Sequence, residues 1–218
     1  MRRILRAVAE HPSALLLGLQ VLVVLAFPFL EGSTAGRATL GAVQVCVVLA
    51  ATWAVRRGPT LTWVAVLFAA PAVVFSVAEA FVDRTHWVVL VSAALHVPFY
   101  MFVSYALIRY LFHDDKVTRD ELFATAAAFT VVAWAFAYVY AGAQVLWPDS
   151  FVAYSGGGPR PWFELLYLSF TTLTSVGLSD VTPVLNHARS LVMLEQVAGV
   201  FYVALVVARL VTLTARRH

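Results

Sequence analysis

The stretch TTLTSVGLSDVTP, Thr171 to Pro183, places a glycine and an acid directly after an apolar segment. That segment, WFELLYLSFTTLT at residues 162–174, is apolar enough for a membrane but only 13 residues long. A helix of that length reaches roughly 20 Å, whereas the hydrocarbon core of a bilayer is about 30 Å thick. We therefore predict that this segment forms a short helix that enters the membrane without crossing it.

The composition of the chain indicates that its solvent is a lipid bilayer. Of 218 residues, 61% are hydrophobic and only 12% are charged, which is far from the usual makeup of a soluble domain. A membrane-crossing helix needs roughly 20 mostly apolar residues. Such runs occur at residues 14–30, 39–56, 60–81, 87–112, 122–146 and 188–213. The predicted fold class is an all-α membrane protein with six transmembrane helices, with the re-entrant short helix and its loop between the fifth and the sixth.

The basic residues orient these six spans. Of the 15 Lys and Arg residues, eleven fall on one side of the membrane and four on the other. Because cytoplasmic loops carry the excess of Lys and Arg, both termini are predicted to be cytoplasmic. The net charge of +3 then reflects topology, and nucleic acid is not an expected partner. The basic start followed by apolar residues 14–30 also fits a signal peptide, but its removal would spoil the even number of spans.

The surroundings of the short helix favour a cation. Pro161 suits a helix start, and Glu164 in the first turn complements the positive end of the helix dipole. The opposite, partly negative end then points into the membrane. The following SVGLSD, residues 175–180, is non-helical backbone, which is tolerated at that depth only inside protein or around a watery cavity. Rings of backbone carbonyls that replace the hydration shell of an ion use such backbone, and a ring needs several copies of the chain.

On these residues, TTLTSVGLSDVTP resembles the pore loop of the potassium-channel superfamily, whose filter is usually written TVGYGD. The resemblance runs from about residue 117 to residue 213, a little under half of the chain, and is to bacterial six-span members. It rests on the short helix, TTLT, VG, D and TP, which occur in that order between two long spans. Five residues take the filter positions and Asp180 follows them: Ser175, Val176, Gly177, Leu178 and Ser179.

The resemblance implies a homotetramer in which the fifth and sixth spans and the loop of each subunit surround a central pore. In that family, the backbone carbonyls of the first four filter positions, Ser175 to Leu178 here, coordinate dehydrated K⁺, and a hydroxyl at the first position assists them. Ser175 retains that hydroxyl. Asp180 is expected to concentrate cations at the outer mouth, and the alternative is a solvated acid beside Arg189.

Two filter positions depart from the family pattern. Leu178 replaces an aromatic residue that braces the filter against the pore helix, so a hydroxyl tether from the side chain at position 178 is absent. Ser179 replaces the second glycine, and a residue other than glycine in the left-handed backbone conformation costs about 1–2 kcal/mol. Two outcomes stay open: Ser179 is held in strain, or its peptide is reoriented and the outer binding position is altered. Both predict a weaker, less selective or easily inactivated outer filter.

Five further residues are predicted to support the filter. Thr171, Thr174 and Tyr167 lie on the pore helix behind it, and Thr171 stands where some relatives carry a bracing acid. On the sixth span, Gly199 is either the hinge of a gate or a site of close helix packing. Glu195 is an ionisable residue inside a membrane span, and we favour a structural role for it, behind the filter or between helices, over ion binding.

The chain is predicted to comprise three parts. Residues 1–112 form a four-helix transmembrane domain that resembles a voltage-sensor domain without gating arginines, because Arg109 is the only basic residue of the fourth span. Residues 113–121 form a cytoplasmic linker. Residues 122–218 form the pore domain, which consists of the outer helix, the pore helix, the filter and the inner helix.

Three local features outside the filter carry their own predictions. Thr118 and Glu121 have the spacing of a capping box at a helix start. His96, in the middle of the fourth span, is predicted to be a packed, hydrogen-bonded histidine, and the alternative is a proton sensor. Cys46, the only cysteine, is predicted to be a core residue of the second span.

These features predict a tetrameric cation channel subunit for passive potassium transport across the bacterial plasma (inner) membrane, without voltage sensing. The alternative is a weakly selective or non-conducting channel-like membrane protein. A secondary transporter is disfavoured because one interrupted segment is visible, whereas transporters show paired broken helices. An enzyme is disfavoured because the six histidines are scattered and HExxH, CxxC and GxSxG motifs are absent. Expected partners are copies of the same chain, membrane lipids and monovalent cations, with no cofactor apart from the K⁺ ions in the filter.

Overall fold

A computed structural model gives the fold of residues 11–30, 34–54, 59–79, 85–112, 118–154 and 156–215. In this part of the chain, seven helices and two short strands follow one another. In chain order they are α1 (Pro12–Leu30), α2 (Thr34–Ala54), α3 (Pro59–Glu79), α4 (His86–Leu111), α5 (Arg119–Leu146), β1 (Phe151–Ala153), α6 (Trp162–Leu173), β2 (Val181–Pro183) and α7 (Asn186–Ala215).

The long apolar runs of the sequence form long helices, and each predicted span overlaps one of them within the described residues. Over the described residues, four helices are long and apolar enough to cross a membrane: Pro12–Leu30, His86–Leu111, Asp120–Leu146 and Asn186–Arg209. The apolar helical segments described within α2 and α3 are shorter, Ala42–Ala54 and Trp63–Ser76. The molecule is therefore a mostly helical membrane protein, and the number of six spans stays a prediction.

The chain divides into two compact units. The first comprises Met1–Asp83 and Met101–Val131, and the second comprises Arg84–Tyr100 and Val132–His218. The helices α4 and α5 each contribute residues to both units. The division into three parts at residues 112 and 122 stays a prediction.

In the first unit, α1 packs against α2 and α2 against α3, and a buried polar contact fixes the start of α1. The Ser13 backbone amide donates to Asp120 Oδ1 at 3.1 Å, and the Ser13 hydroxyl donates to Asp120 Oδ2 at 3.1 Å. The first amides of a helix have no partner within the helix, and a carboxylate both accepts from them and complements the helix dipole. Asp120, in the first turn of α5, therefore caps α1.

The start of α5 is the capping box that the sequence predicts. The Glu121 backbone amide donates to the Thr118 hydroxyl at 3.2 Å, and the Thr118 amide donates to Glu121 Oε2 at 2.9 Å. These reciprocal bonds satisfy two amides that have no partner within the helix, which confirms the prediction. Residues 113–117 of the predicted linker lie outside the described residues.

The second unit contains a two-stranded antiparallel sheet in which Val152 faces Thr182. The Gly and Pro residues of segment 147–161 are typical of an irregular loop, but residues 151–153 within it form β1. The strand β1 forms because β2, which follows residues 175–180 along the chain, pairs with it in the antiparallel direction. Phe151 and Val181 are buried with side chains of α5, α6 and α7, in a cluster that comprises Phe136, Tyr140, Ala141, Ala143, Phe151, Leu165, Leu168, Val181, Ala188 and Val192.

Two single-residue predictions have opposite outcomes. His96 is fully buried, its Nδ1 lies 2.9 Å from the Ser92 carbonyl oxygen, and its ring stacks on Tyr138 at a centroid distance of 4.5 Å. The prediction of a packed, hydrogen-bonded histidine is confirmed. Cys46 is exposed rather than a core residue, because it lies on a face of α2 that the described part of the chain does not cover.

Candidate functional site

The short helix α6 begins and ends where the sequence predicts, to within one residue. Pro161 is its N-cap, with φ −58° and ψ 151°, and Glu164 lies in its first turn. A proline is tolerated there because the first amides of a helix lack partners in any case. At 12 residues, α6 is less than half as long as the 28 residues of α5.

A clamp outside the helix holds the start of α6. Gln144 at the end of α5 donates to the Arg160 carbonyl at 2.9 Å and accepts from the Arg160 amide at 2.8 Å. The Arg160 guanidinium donates to the carbonyls of Gly156 and Gly158, at 3.2 and 2.7 Å, so that the glycine loop closes around it. Gly156 and Gly158 have φ of 82° and 92°, which explains why glycines occupy this loop.

The end of α6 is a Schellman motif. The Ser175 amide donates to the Thr172 carbonyl, and the Val176 amide donates to the Thr171 carbonyl, both at 3.0 Å. Ser175 has φ 59°, so it occupies the left-handed position of the motif, where glycine is usual. The Gly177 amide also donates to the Thr171 carbonyl, at 3.0 Å. The last turn of the helix therefore accepts three successive amides of the segment that follows.

These bonds fix the direction of the carbonyls in the filter segment, which we define as Ser175–Ser179. The peptides are trans, so each carbonyl points opposite to the amide of the next residue. Because the amides of Ser175, Val176 and Gly177 point at α6, the carbonyls of Thr174, Ser175 and Val176 point away from it. Gly177 has φ 71°, so the left-handed conformation of Ser175 recurs two residues later.

The outer end of the filter segment breaks this alternation. Ser175 and Asp149 are the non-glycine residues with positive φ in the described chain, and Ser179 does not share that conformation. The Ser179 hydroxyl instead accepts from the Val181 amide at 3.1 Å. Of the two outcomes left open for Ser179, left-handed strain is therefore not observed at that residue, and it falls on Ser175 instead.

Tyr167 of α6 holds the Leu178 backbone. Its hydroxyl donates to the Leu178 carbonyl oxygen at 2.7 Å. The side chain at position 178 has no hydroxyl that could hold the filter segment, as the sequence indicates. A hydroxyl of α6, that of Tyr167, binds the backbone of this residue instead. The Leu178 side chain is 73% exposed, so the backbone bond holds this residue while its side chain makes little contact.

The two threonines predicted to support the filter bond to their own helix. The Thr171 hydroxyl donates to the Leu168 carbonyl at 2.9 Å, and the Thr174 hydroxyl donates to the Phe170 carbonyl at 2.7 Å. The Thr174 hydroxyl also lies 3.4 Å from the Thr171 carbonyl oxygen, which accepts the filter-segment amides as well. Asp180 is exposed, and its predicted neighbour Arg189 donates to the Pro183 carbonyl at 3.3 Å.

Glu195 joins three helices behind the filter segment. The Tyr140 hydroxyl of α5 donates to one carboxylate oxygen, and the other oxygen is hydrogen-bonded to the Ser169 hydroxyl of α6. Ser169 is also within 2.8 Å of the Ala133 carbonyl oxygen of α5. Glu195, Tyr140 and Ser169 are all fully buried. These hydrogen bonds fit the favoured structural role of Glu195, and that role stays a prediction.

Gly199 is a site of close helix packing. A Cβ atom at this position would overlap the Leu173 carbonyl oxygen at the end of α6. The missing side chain therefore lets α7 contact the backbone of α6, in agreement with the packing alternative. The hinge alternative stays a prediction, and α7 runs unbroken through Gly199 here.

Sequence reasoning missed four residues of this site. Tyr140 and Ser169 bind Glu195, and Gln144 and Arg160 fix the start of α6. A signal was present, because polar side chains within apolar helices need partners when they are buried. The sequence gives no register between α5, α6 and α7, however, and so it does not say which polar residues meet.

Comparison with known proteins gives one family. Residues 125–216 match the model of a family described as ion channel. The match covers less than half of the chain and includes most of α5, all of α6 and the filter segment, and α7. No curated protein and no solved structure matched the chain. With the apolar helices, the match supports a multi-pass membrane protein that contains an ion-channel domain.

Proposed function

We propose that this chain is one subunit of a homotetrameric cation channel that passes K⁺ passively across the bacterial plasma membrane. The filter segments of four copies would surround the pore, with lipid outside. The permeating species would be the ions themselves, and no bound cofactor would be required. In this proposal both termini lie in the cytoplasm.

The direction of the filter carbonyls carries this proposal. Three successive amides are bonded to the end of α6, so the carbonyls of Ser175 and Val176 point away from that helix. Within the described residues, these two carbonyls accept no hydrogen bond from the protein. Backbone acceptors need partners, and at membrane depth a dehydrated cation is a suitable one. The resemblance to potassium channels implies further carbonyl levels at Gly177 and Leu178, although the Leu178 carbonyl accepts the Tyr167 hydroxyl here.

The exposure of the filter segment favours assembly. Val176 and Leu178 are 58% and 73% exposed in a single chain, although both are apolar. One chain supplies one strand of carbonyls, whereas a dehydrated ion needs several ligands around it. Closed rotational symmetry brings identical segments around one axis, and four copies are what the resemblance implies. The same axis would bring four Asp180 carboxylates to the outer mouth, where they attract cations.

The channel is proposed to be insensitive to voltage. Voltage sensors carry several gating charges in each subunit. The helix α4 has Arg109, in its last turn, as its single Lys or Arg residue. The second candidate function, a weakly selective or non-conducting channel-like protein, is favoured by one observation, the reoriented peptide after Leu178.

Single-channel recording in planar bilayers tests the proposal, with K⁺ on one side and Na⁺ on the other. Gly177→Ala is the test variant, because Gly177 has φ 71° and a side chain there is strained. Gly157→Ala is the matched control, since Gly157 has open space around it and lies outside the filter segment.

We expect wild type and Gly157→Ala to carry the same current, and Gly177→Ala to lose it. A reversal potential near the K⁺ equilibrium value supports a potassium channel. A reversal near zero supports the weakly selective alternative. A wild-type current that Gly177→Ala leaves intact would not pass through the filter segment, and the proposed pore would be wrong.

A further inference from the structure

The peptide between Leu178 and Ser179 is turned the opposite way from the peptides before it. The carbonyls of Ser175 and Val176 point away from α6, because the next amides bond to that helix. The Leu178 carbonyl points toward α6, because it accepts the Tyr167 hydroxyl at 2.7 Å. In the same trans peptide, the Ser179 amide must then point away from α6.

The residue at position 179 explains this turn. If the alternation continued, a left-handed residue would follow Leu178, as Gly177 follows Val176. Ser179 carries a Cβ, which disfavours that conformation. Its hydroxyl accepts from the Val181 amide at 3.1 Å, which holds it in the conformation observed. Tyr167 then supplies the donor that the turned carbonyl needs.

We propose that the Tyr167 hydroxyl is a latch that removes the outermost carbonyl level from the ion path and thereby lowers the selectivity of the pore for K⁺. This inference rests on the proposed function. With the latch closed, four copies present Ser179 amides, which are hydrogen-bond donors, where a cation would need acceptors. The path then keeps the inner carbonyl levels and loses the outer one.

Tyr167 acts through the Leu178 backbone, so it is a positioning residue and touches no ion itself. Its ring is 47% exposed, which leaves room for a phenylalanine ring in the same place. Tyr167→Phe deletes the donor alone. Ser179→Gly separately permits the left-handed conformation, and the two changes together remove both causes of the turned peptide.

The experiment compares wild type, Tyr167→Phe, Ser179→Gly and the double variant by their reversal potentials with K⁺ on one side and Na⁺ on the other. Tyr154→Phe is the matched control, because it deletes an identical hydroxyl from a fully exposed residue outside the filter segment. We expect the ratio of K⁺ to Na⁺ permeability to rise about fivefold in Tyr167→Phe, as expected for loss of one hydrogen bond, and further in the double variant. Tyr154→Phe should match wild type.

The outcomes separate this inference from the proposed function. If wild type conducts and the permeability ratio of Tyr167→Phe is unchanged or lower, the latch is wrong while the channel stands. If wild type is silent and the double variant conducts K⁺ where Ser179→Gly alone does not, removal of the Tyr167 donor opens the path and the inference holds. If neither of them conducts, both the channel and the latch are overturned.

Discussion

The Tyr140 hydroxyl donates to the Glu195 carboxylate, and this bond joins α5 to α7 inside the second unit. The second carboxylate oxygen is bonded to Ser169, so α6 is held by the same residue. All three side chains are fully buried. Because α6 carries the filter segment at its end, Glu195 links the position of the filter to the two long helices behind it.

Glu195→Ala should destabilise the protein. It leaves the Tyr140 hydroxyl buried without an acceptor, which costs roughly 1–3 kcal/mol. Ser169 keeps the Ala133 carbonyl as a partner, at 2.8 Å. The thermal unfolding midpoint of the purified protein in detergent should therefore fall clearly in this variant. Glu195→Gln is the control, since its amide oxygen still accepts from Tyr140 and its NH₂ group can donate to Ser169. Equal loss of stability in both variants would contradict the hydrogen-bonding role.

Gly199→Ala should loosen the contact between α7 and α6. The added Cβ would overlap the Leu173 carbonyl oxygen, which is backbone and cannot move aside cheaply. Overpacking of this kind costs about 1–3 kcal/mol. The measurement is again the thermal midpoint, together with the oligomer fraction by size-exclusion chromatography.

Gly18→Ala provides the comparison for Gly199→Ala. Gly18 lies within α1 and has open space around it, so alanine there should be neutral or stabilising by up to about 1 kcal/mol. If the two alanine variants gave the same midpoint, close packing would not explain why residue 199 is a glycine. The result would then favour the alternative that Gly199 is a hinge.

The local features of this fold could be predicted from the sequence, because their signals lie within a few residues. Thr118 and Glu121 are three residues apart and form the capping box that their spacing predicts. Pro161 precedes an apolar run of fixed length, and α6 begins one residue later. In both cases the interacting groups are neighbours along the chain, so no tertiary contact decides the outcome.

The features that the sequence did not predict depend on contacts between distant residues. Val152 pairs with Thr182, and the run around Val152 alone is too short to indicate a strand. The left-handed conformation at Ser175 follows from the α6 carbonyls that accept the amides of Ser175 and Val176. The sequence instead suggested left-handed strain at Ser179, because serine replaces a glycine of the family pattern there. The bond from Tyr167 to Leu178 is absent from any pattern of the sequence, because a hydroxyl gives no sign of which carbonyl it will reach.

Thr118→Ala should weaken the start of α5. It removes the hydroxyl that accepts from the Glu121 amide, and loss of such a cap costs about 0.5–2 kcal/mol. The change lies in the first unit, whereas the filter segment belongs to the second, so the thermal midpoint should fall while the relative permeability of K⁺ and Na⁺ stays as in wild type. Thr118→Ser retains the hydroxyl and should restore most of the midpoint. A midpoint of Thr118→Ser as low as that of Thr118→Ala would show that the threonine methyl group matters rather than the cap.

Ser175→Gly and Ser175→Ala should differ in stability although both lose the hydroxyl. Ser175 has φ 59° at the end of α6, and a residue with a Cβ in that conformation costs about 1 kcal/mol relative to glycine. Ser175→Gly should therefore raise the thermal midpoint above that of Ser175→Ala. Any change in conductance common to the two variants then reports the hydroxyl that the family resemblance places near the ion. A higher midpoint for Ser175→Ala than for Ser175→Gly would mean that position 175 is not left-handed in the assembled protein, and the direction assigned to the filter carbonyls would have to be revised.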